Sequence, residues 1–496
     1  MPTRLLIVAL DSAEPLMVKE LVKKGLLPTI QALLDKGQSA DIENFPGFGN
    51  GVFWPSINSG VDPSYHGRYF RRQPRPGTYS LEPFLEKDFK SPPFWKALDE
   101  NGLLTAVVDP VESPAAHPET GIEIMEWMTH GRVESARSTP PQLIDEIIAC
   151  YGDDHYGGNA DLAVKKGLSP EEAINLGKQR IKKKTEAMLD LLDRNDWDLF
   201  YVTYADPHDI GHVAWHLHEP RQGDKSQNQN KMDVDPVEQC YQALDKSLSR
   251  LMETVLPGGQ TIVLMGPGIE THVSANSLLS DILRAFQGRT SHGLINNLKG
   301  AMRRFIQSPR LPASFGKHLK TVRARMGYRV KTLSGARYFS VPHNDNAGCI
   351  RINLTGRDPH GVVSQGQEYD DLCSELTERL LLLRDASGDV PLVSKIVKLH
   401  DHYSGPSLDL MPDLMVIWNR EADVSAVSSS EISKLINRST SIRTGDHSTR
   451  GLLISSLPIN VKSAVPLTPL EVTPILVQAV NYTAETTTDL KREFAK

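Results

Sequence analysis

The sequence predicts an α/β fold, a mostly parallel, doubly wound sheet sandwiched by helices. Three observations predict it. Short unbroken apolar runs such as Leu5-Leu6-Ile7-Val8-Ala9-Leu10 have the length and hydrophobicity of strands buried on both faces of a parallel sheet. Helical segments with recognisable caps separate these runs. Polar residues gather where the runs end, and open α/β sheets bind ligands beyond the carboxyl ends of their strands.

The first run ends at Asp11. Asp11-Ser12-Ala13-Glu14 then opens an amphipathic helix through Lys24, and Gly25 stops it. A second helix is predicted from Pro28 to Asp35, ending at Lys36-Gly37. Thr105-Ala106-Val107-Val108-Asp109 is a short buried strand. Residues 140 to 196 are predicted mostly helical, and Ser169-Pro170-Glu171-Glu172 is a capping-box helix start. A strand over Leu199–Tyr204, a long helix from Val237 to Thr254 and a buried strand over Gln260–Met265 follow. Cys349–Leu354 reads as a strand, residues 355–359 as a turn and 366–385 as a helix. Leu414–Trp418 and Leu452–Ser455 are late strands.

The stretch from Arg289 to Arg337 is rich in Lys and Arg and contains no Asp or Glu. It is expected to form a basic helical cap insertion, its charges either drawing in an anion or serving as a solvated face. The predicted division is thus 1–288 for the first part of an α/β metal-site core, 289–337 for the cap, 338–482 for the second part of the core, and 483–496 for a loosely held polar tail.

With 496 residues the chain can bury one large core or two moderate ones. A net charge of −6 argues against general nucleic-acid binding. Four cysteines, Cys150, Cys240, Cys349 and Cys373, lie far apart without a CxxC, which excludes a disulfide framework and a thiolate metal site. The first apolar run is too short for a signal segment, and no run approaches a membrane span. A cytoplasmic protein with no nucleic-acid or membrane partner is expected. A homo-oligomer is left open.

The most informative stretch is Asp206-Pro207-His208-Asp209-Ile210-Gly211-His212, directly after the 199–204 strand. His208 and His212, four residues apart, share one face of a helix, which is a metal-ligand spacing. Asp206 before Pro207 reads as the N-cap of that helix. Other strand ends deliver Asp11, then Glu270 and His272 beyond Gly266-Pro267-Gly268, and Asp446-His447 ahead of the last strand. His and Asp converging on one sheet edge point to a metal site. Imidazole with carboxylate and no thiolate suits zinc, manganese or iron.

The order of motifs resembles the alkaline phosphatase superfamily, most closely its type I phosphodiesterase/nucleotide pyrophosphatase-like branch of predicted phosphohydrolases or phosphomutases. The likeness rests on Val8-Ala9-Leu10-Asp11 with Leu27-Pro28-Thr29-Ile30, on Trp54-Pro55-Ser56-Ile57-Asn58-Ser59-Gly60 with His66-Gly67, and on Pro93–Leu98. It continues in Arg351-Ile352-Asn353-Leu354 with Gly356-Arg357, in Met411-Pro412-Asp413-Leu414, and in Gly445-Asp446-His447 with Gly451. The resemblance implies a hydrolase of phosphate-type esters with two metal ions and a Thr or Ser nucleophile. It maps the first-strand aspartate to Asp11 and the two histidines of one metal site to His212 and His447. His208 stands where the family has an aspartate. By the same frame the nucleophile position falls on Asn50, and an Asp-His pair is replaced by Gly266-Pro267.

An amide cannot become an alkoxide, and neither Gly266 nor Pro267 can ligate, so the second metal site is expected to be lost. Three readings stay open. One ion survives on His208, His212 and His447, with a carboxylate from Asp11, Asp206 or Asp209. Alternatively Glu270 and His272 rebuild a second site, or catalysis is lost and the pocket only binds. A mononuclear iron or manganese enzyme of different chemistry is a further alternative. In the leading reading one divalent ion, zinc, manganese or iron, serves a hydrolase with direct water attack. The candidate metal set is Asp11, His208, His212, His447, Asp206 and His272. Asp11 and Asn50 are the catalytic candidates, the Asn50 amide serving as an oxyanion donor, or else as a plain loop residue in left-handed backbone. Arg68, Arg351 and His343 are the candidates for contact with a small anionic substrate.

Overall fold

The computed structural model describes residues 3–157, 159–219, 235–288, 328–329, 335–437, 441–459 and 465–493. An eight-stranded sheet runs through its centre. In spatial order the strands are Gln38–Glu43, Arg450–Ser455, Val255–Gly266, Thr3–Asp11, Leu199–Tyr204, Thr105–Val108, Ile122–Met125 and Arg137–Thr139. The five from Val255–Gly266 to Ile122–Met125 are parallel. The outer pairs at each edge are antiparallel.

Thr3–Asp11 shows why its sequence is apolar throughout. Leu6, Val8 and Leu10 enter one core layer, with the helices Pro15–Lys23, Pro170–Arg194, Asp206–His218 and Pro236–Met252. Leu5, Ile7 and Ala9 enter the other, with Asn50–Ser59, Phe94–Glu100 and Pro469–Glu493. Alternation along the strand thus feeds two cores. Each fully buried Leu or Ile contributes roughly 1.5–3 kcal/mol, so this central strand is strongly held in register.

Register then sets chemistry. Asp11 pairs with Gly266 and Leu10 with Tyr204, so three strand ends finish level. The Asp206–His218 helix starts two residues beyond one of them. A two-stranded ribbon, Ile269–Thr271 with Gly445–His447, closes the same edge.

Of the later strands, Arg450–Ser455 joins the main sheet and four others do not. Tyr338–Val341, Ala347–Ile352, Leu414–Trp418 and Val393–Lys398 form a separate antiparallel sheet in that order. One face packs on Asn276–Phe286 and Gln367–Leu381. The other presents Phe339, Cys349 and Met415 to Phe48, Val52 and Tyr69. The second sheet therefore buttresses the start of the Asn50–Ser59 helix. Most of the expected cap lies outside the described residues; Tyr328–Arg329 pairs with Ser80 and Leu81. Residues 483–493 of the segment expected as a loose tail continue the helix Pro469–Glu493. Among the described residues no helix is long and apolar enough to cross a membrane.

Candidate metal centre

Asp11 is fully buried at the end of the central strand. Its Oδ1 accepts from Trp54 Nε1 at 2.8 Å and from the Ser12 hydroxyl at 3.3 Å; its Oδ2 lies 2.7 Å from His208 Nδ1. Burial pushes the Asp11 carboxyl up to about 6, against the pull of His130 and the Trp54 bond. His208 and His212 project from one face of the Asp206–His218 helix, and their Nε2 atoms face each other at 3.0 Å. His212 Nδ1 donates to the Gly445 carbonyl at 2.9 Å. A carbonyl only accepts, so the proton of neutral His212 sits on Nδ1 and its Nε2 carries a bare lone pair.

His447 arrives on the ribbon strand. Its ring centroid is 4.8 Å from that of His208 and 5.1 Å from that of His212, and its Nδ1 is 3.4 Å from the Ser12 hydroxyl. All three rings are buried. Burial lowers their basicity, His447 down to about 3 and His208 and His212 well below the ordinary imidazole value, with neighbouring His130, Arg443 and His208 adding to the effect. Neutral imidazoles are the form that ligates a cation.

The centre opens on a cavity of about 340 Å³ lined by Asn50, Phe70, Arg71, His130, Lys165, His343, Asn344, Asp345 and Arg443, among others. Asn50 is the first residue of its helix rather than a left-handed loop residue. Arg71 and Lys165 are exposed on the cavity wall. Arg443 is held by Asp161 at 2.7 Å. His343 is buried against Phe48, Tyr69 and Phe70, and burial brings its ring down to about 4, against the pull of the Asn344 backbone.

Several expected residues lie elsewhere. Asp206 is the helix's first residue, not its cap, and turns away to Arg180 at 3.7 Å. His272 stands 3.6 Å from Asp446 and forms with it and Asp345 a separate group whose ligand atoms lie within 4.8 Å. Glu270 is bound by Arg420 at 2.8 Å and Arg450 at 3.3 Å, so it rebuilds nothing beside Asp11. Arg68 pairs with Glu112 at 2.6 Å and faces a smaller neighbouring cavity. Arg351 is locked to Asp358 at 2.8 Å and to the carbonyls of Asp409 and Met411. Asp11 itself stands behind His208, both oxygens already accepting, and orients that ring rather than lining the cavity.

One residue escaped the sequence reading. His130 stacks on His208 with ring centroids 3.7 Å apart. Its Nδ1 is 2.8 Å from Asp209, which also accepts from Arg180 and from the backbone of Ala160. Burial alone would lower His130 and raise Asp209; their attraction outweighs it and moves each the other way. No motif surrounds His130, and nothing in the sequence pairs it with Asp209.

Neutral imidazoles on the histidine face are donors of the kind that hold a divalent cation. Gly266 and Pro267, level with Asp11, supply no side-chain donor.

Two of the solved structures to which this chain is similar have a comparable overall fold. Both are phosphonoacetate hydrolase from Sinorhizobium meliloti 1021. The complex with phosphonoformate has a TM-score of 0.54 at 15% identity, covering 96% of this chain and 95% of that one. The complex with phosphonoacetate has a TM-score of 0.53 at 15% identity, with the same coverage. They show the α/β fold. No curated protein matches the chain. The model of the type I phosphodiesterase / nucleotide pyrophosphatase family matches residues 5–266, which span the central strand, the Asn50 helix and the His208–His212 helix. The chain is therefore a member of the type I phosphodiesterase/nucleotide pyrophosphatase family, a hydrolase family of the alkaline phosphatase superfamily.

Proposed function

We propose that this protein hydrolyses a small phosphate-type ester or related anion with a single divalent ion and by direct attack of water. The observation that carries the reading is the 3.0 Å approach of His208 Nε2 to His212 Nε2, with both Nδ1 atoms already engaged. With Asp11 ionised, two lone pairs face each other. A shared proton or a cation relieves that repulsion, and a third neutral ring, His447, packed against both favours the cation. Zinc suits imidazole donors better than manganese does. The ion supplies Lewis-acid polarisation and lowers the pKa of water.

The chain's own groups do the rest. Asp11 and Gly445 hold the ligand rings in their tautomers, an outer-shell role usually worth 10–100-fold in metal affinity. Asn50, at the helix start, donates to an anionic oxygen without forming a covalent bond. Arg71 and Lys165 attract the anion to the cavity mouth.

Metal analysis of purified protein tests the ion, with about one per chain expected and loss in His212→Ala. The route is tested with a substrate chiral at phosphorus. A single displacement inverts configuration. Retention would instead show a covalent enzyme intermediate and overturn the proposed route.

A further inference from the structure

Four of the imidazoles around the cavity have Nδ1 close to an oxygen of a neighbouring segment. Nδ1 of His208 is tied to Asp11 at 2.7 Å, Nδ1 of His212 to the Gly445 carbonyl at 2.9 Å, and Nδ1 of His130 to Asp209 at 2.8 Å. Nδ1 of His447 lies 3.4 Å from the Ser12 hydroxyl. A ring whose Nδ1 is engaged by an acceptor presents Nε2 as its bare donor, the usual outer-shell arrangement of metal-binding histidines. The ligand atoms of His130, His208 and His212 lie within 4.8 Å of one another, and the His447 ring packs on two of those three. Asp209 is fully buried and accepts from Arg180 at 2.9 Å and Ala160 at 3.0 Å, so the His130 tether is itself rigidly held.

We infer that the ion of this protein sits in a four-imidazole centre made by His130, His208, His212 and His447, with Asp11 and Asp209 as outer-shell acceptors rather than ligands. This rests on the single-ion reading above and adds His130 to it. The position that the resemblance assigns to an anionic ligand is held by neutral His208, and the lost donor is replaced from a different segment. His130–Asp209 mirrors His208–Asp11, a carboxylate-backed imidazole on each side of the stack.

The test uses the full chain stripped with a chelator and titrated with Co²⁺, read by its visible d–d spectrum and by competition with Zn²⁺. X-ray absorption of the zinc form counts imidazoles through their outer-shell scattering. Four imidazoles in the wild type are expected. Asp209→Asn should weaken Co²⁺ about 10–100-fold, and His130→Gln should weaken it at least as much and shift the d–d bands. Should His130→Gln fail to fold, Asp209→Asn and the wild-type count still decide. An unaltered Co²⁺ affinity and spectrum in His130→Gln, or a count of three or fewer, overturns the four-imidazole centre and leaves the single-ion reading standing. A wild-type chain that takes up no Co²⁺ or Zn²⁺ overturns that reading itself.

Discussion

Asp206, His208 and His212 show what spacing can and cannot decide at the scale of a residue. At about 100° per residue, His208 and His212 lie about 40° apart and share a face, whereas Asp206 and His208 lie about 200° apart. The pairing of the two histidines was therefore legible, and the inward turn of Asp206 was excluded by the same arithmetic once the helix began at that residue. His130 was not legible, because a tertiary contact alone brings it to the site. His66 gives a prediction at this scale. It is fully buried, its Nδ1 accepting from the backbone of Arg68 at 3.1 Å and its Nε2 3.2 Å from the Ser56 hydroxyl. Burial lowers its pKa from 6.5 to about 3. The folded state thus resists a proton that the unfolded chain accepts. Its contribution is complete above pH 6.5 and is lost as pH falls toward 3, at up to about 1.4 kcal/mol per pH unit. Urea unfolding from pH 7 to pH 4 should show a shallower pH slope for His66→Gln than for the wild type. Parallel curves would disprove this account of His66.

The strands of the main sheet were legible as elements because burial on both faces writes itself as unbroken apolar runs. The second sheet was not. Its strands Ala347–Ile352 and Leu414–Trp418 were read correctly as strands, but partnership is a long-range property that periodicity does not carry. The ribbon strand Gly445–His447 was seen only as a motif. Packing explains its glycine. A Cβ at Gly445 would lie 2.4 Å from the Gly211 carbonyl oxygen, 2.6 Å from Ile269 Cγ2 and 2.8 Å from Trp215 Cβ. Two of these belong to the helix that carries His208 and His212. Gly445→Ala should therefore cost about 1–3 kcal/mol by overpacking and displace the acceptor of His212 Nδ1. Chemical denaturation and metal analysis check both effects. A variant of unchanged stability and metal content would show that the ribbon and helix can separate freely.

For the whole molecule, the family and the α/β fold were visible in the order of the motifs. The resemblance also sets Asn50, Gly266 and Pro267 apart, and how those positions are packed is a tertiary property that no sequence pattern carries. Asn50→Thr restores a hydroxyl at the helix start but no donor beside Asp11, so a phosphoryl-enzyme burst with a chromogenic phosphate ester is not expected. A burst from that single change would show that one ion suffices for the covalent route. Nor can the missing carboxylate simply be put back. Gly266 has φ +124°, and a Cβ there would lie 2.9 Å from Gly451 Cα, 3.0 Å from the Phe53 ring and 3.1 Å from the Arg450 carbonyl oxygen. A side chain at position 266 would therefore meet packed backbone on one side and an aromatic ring on the other, in a left-handed conformation that suits glycine. Any donor restored there would have to be seated by moving the strand end that fixes Asp11 in place.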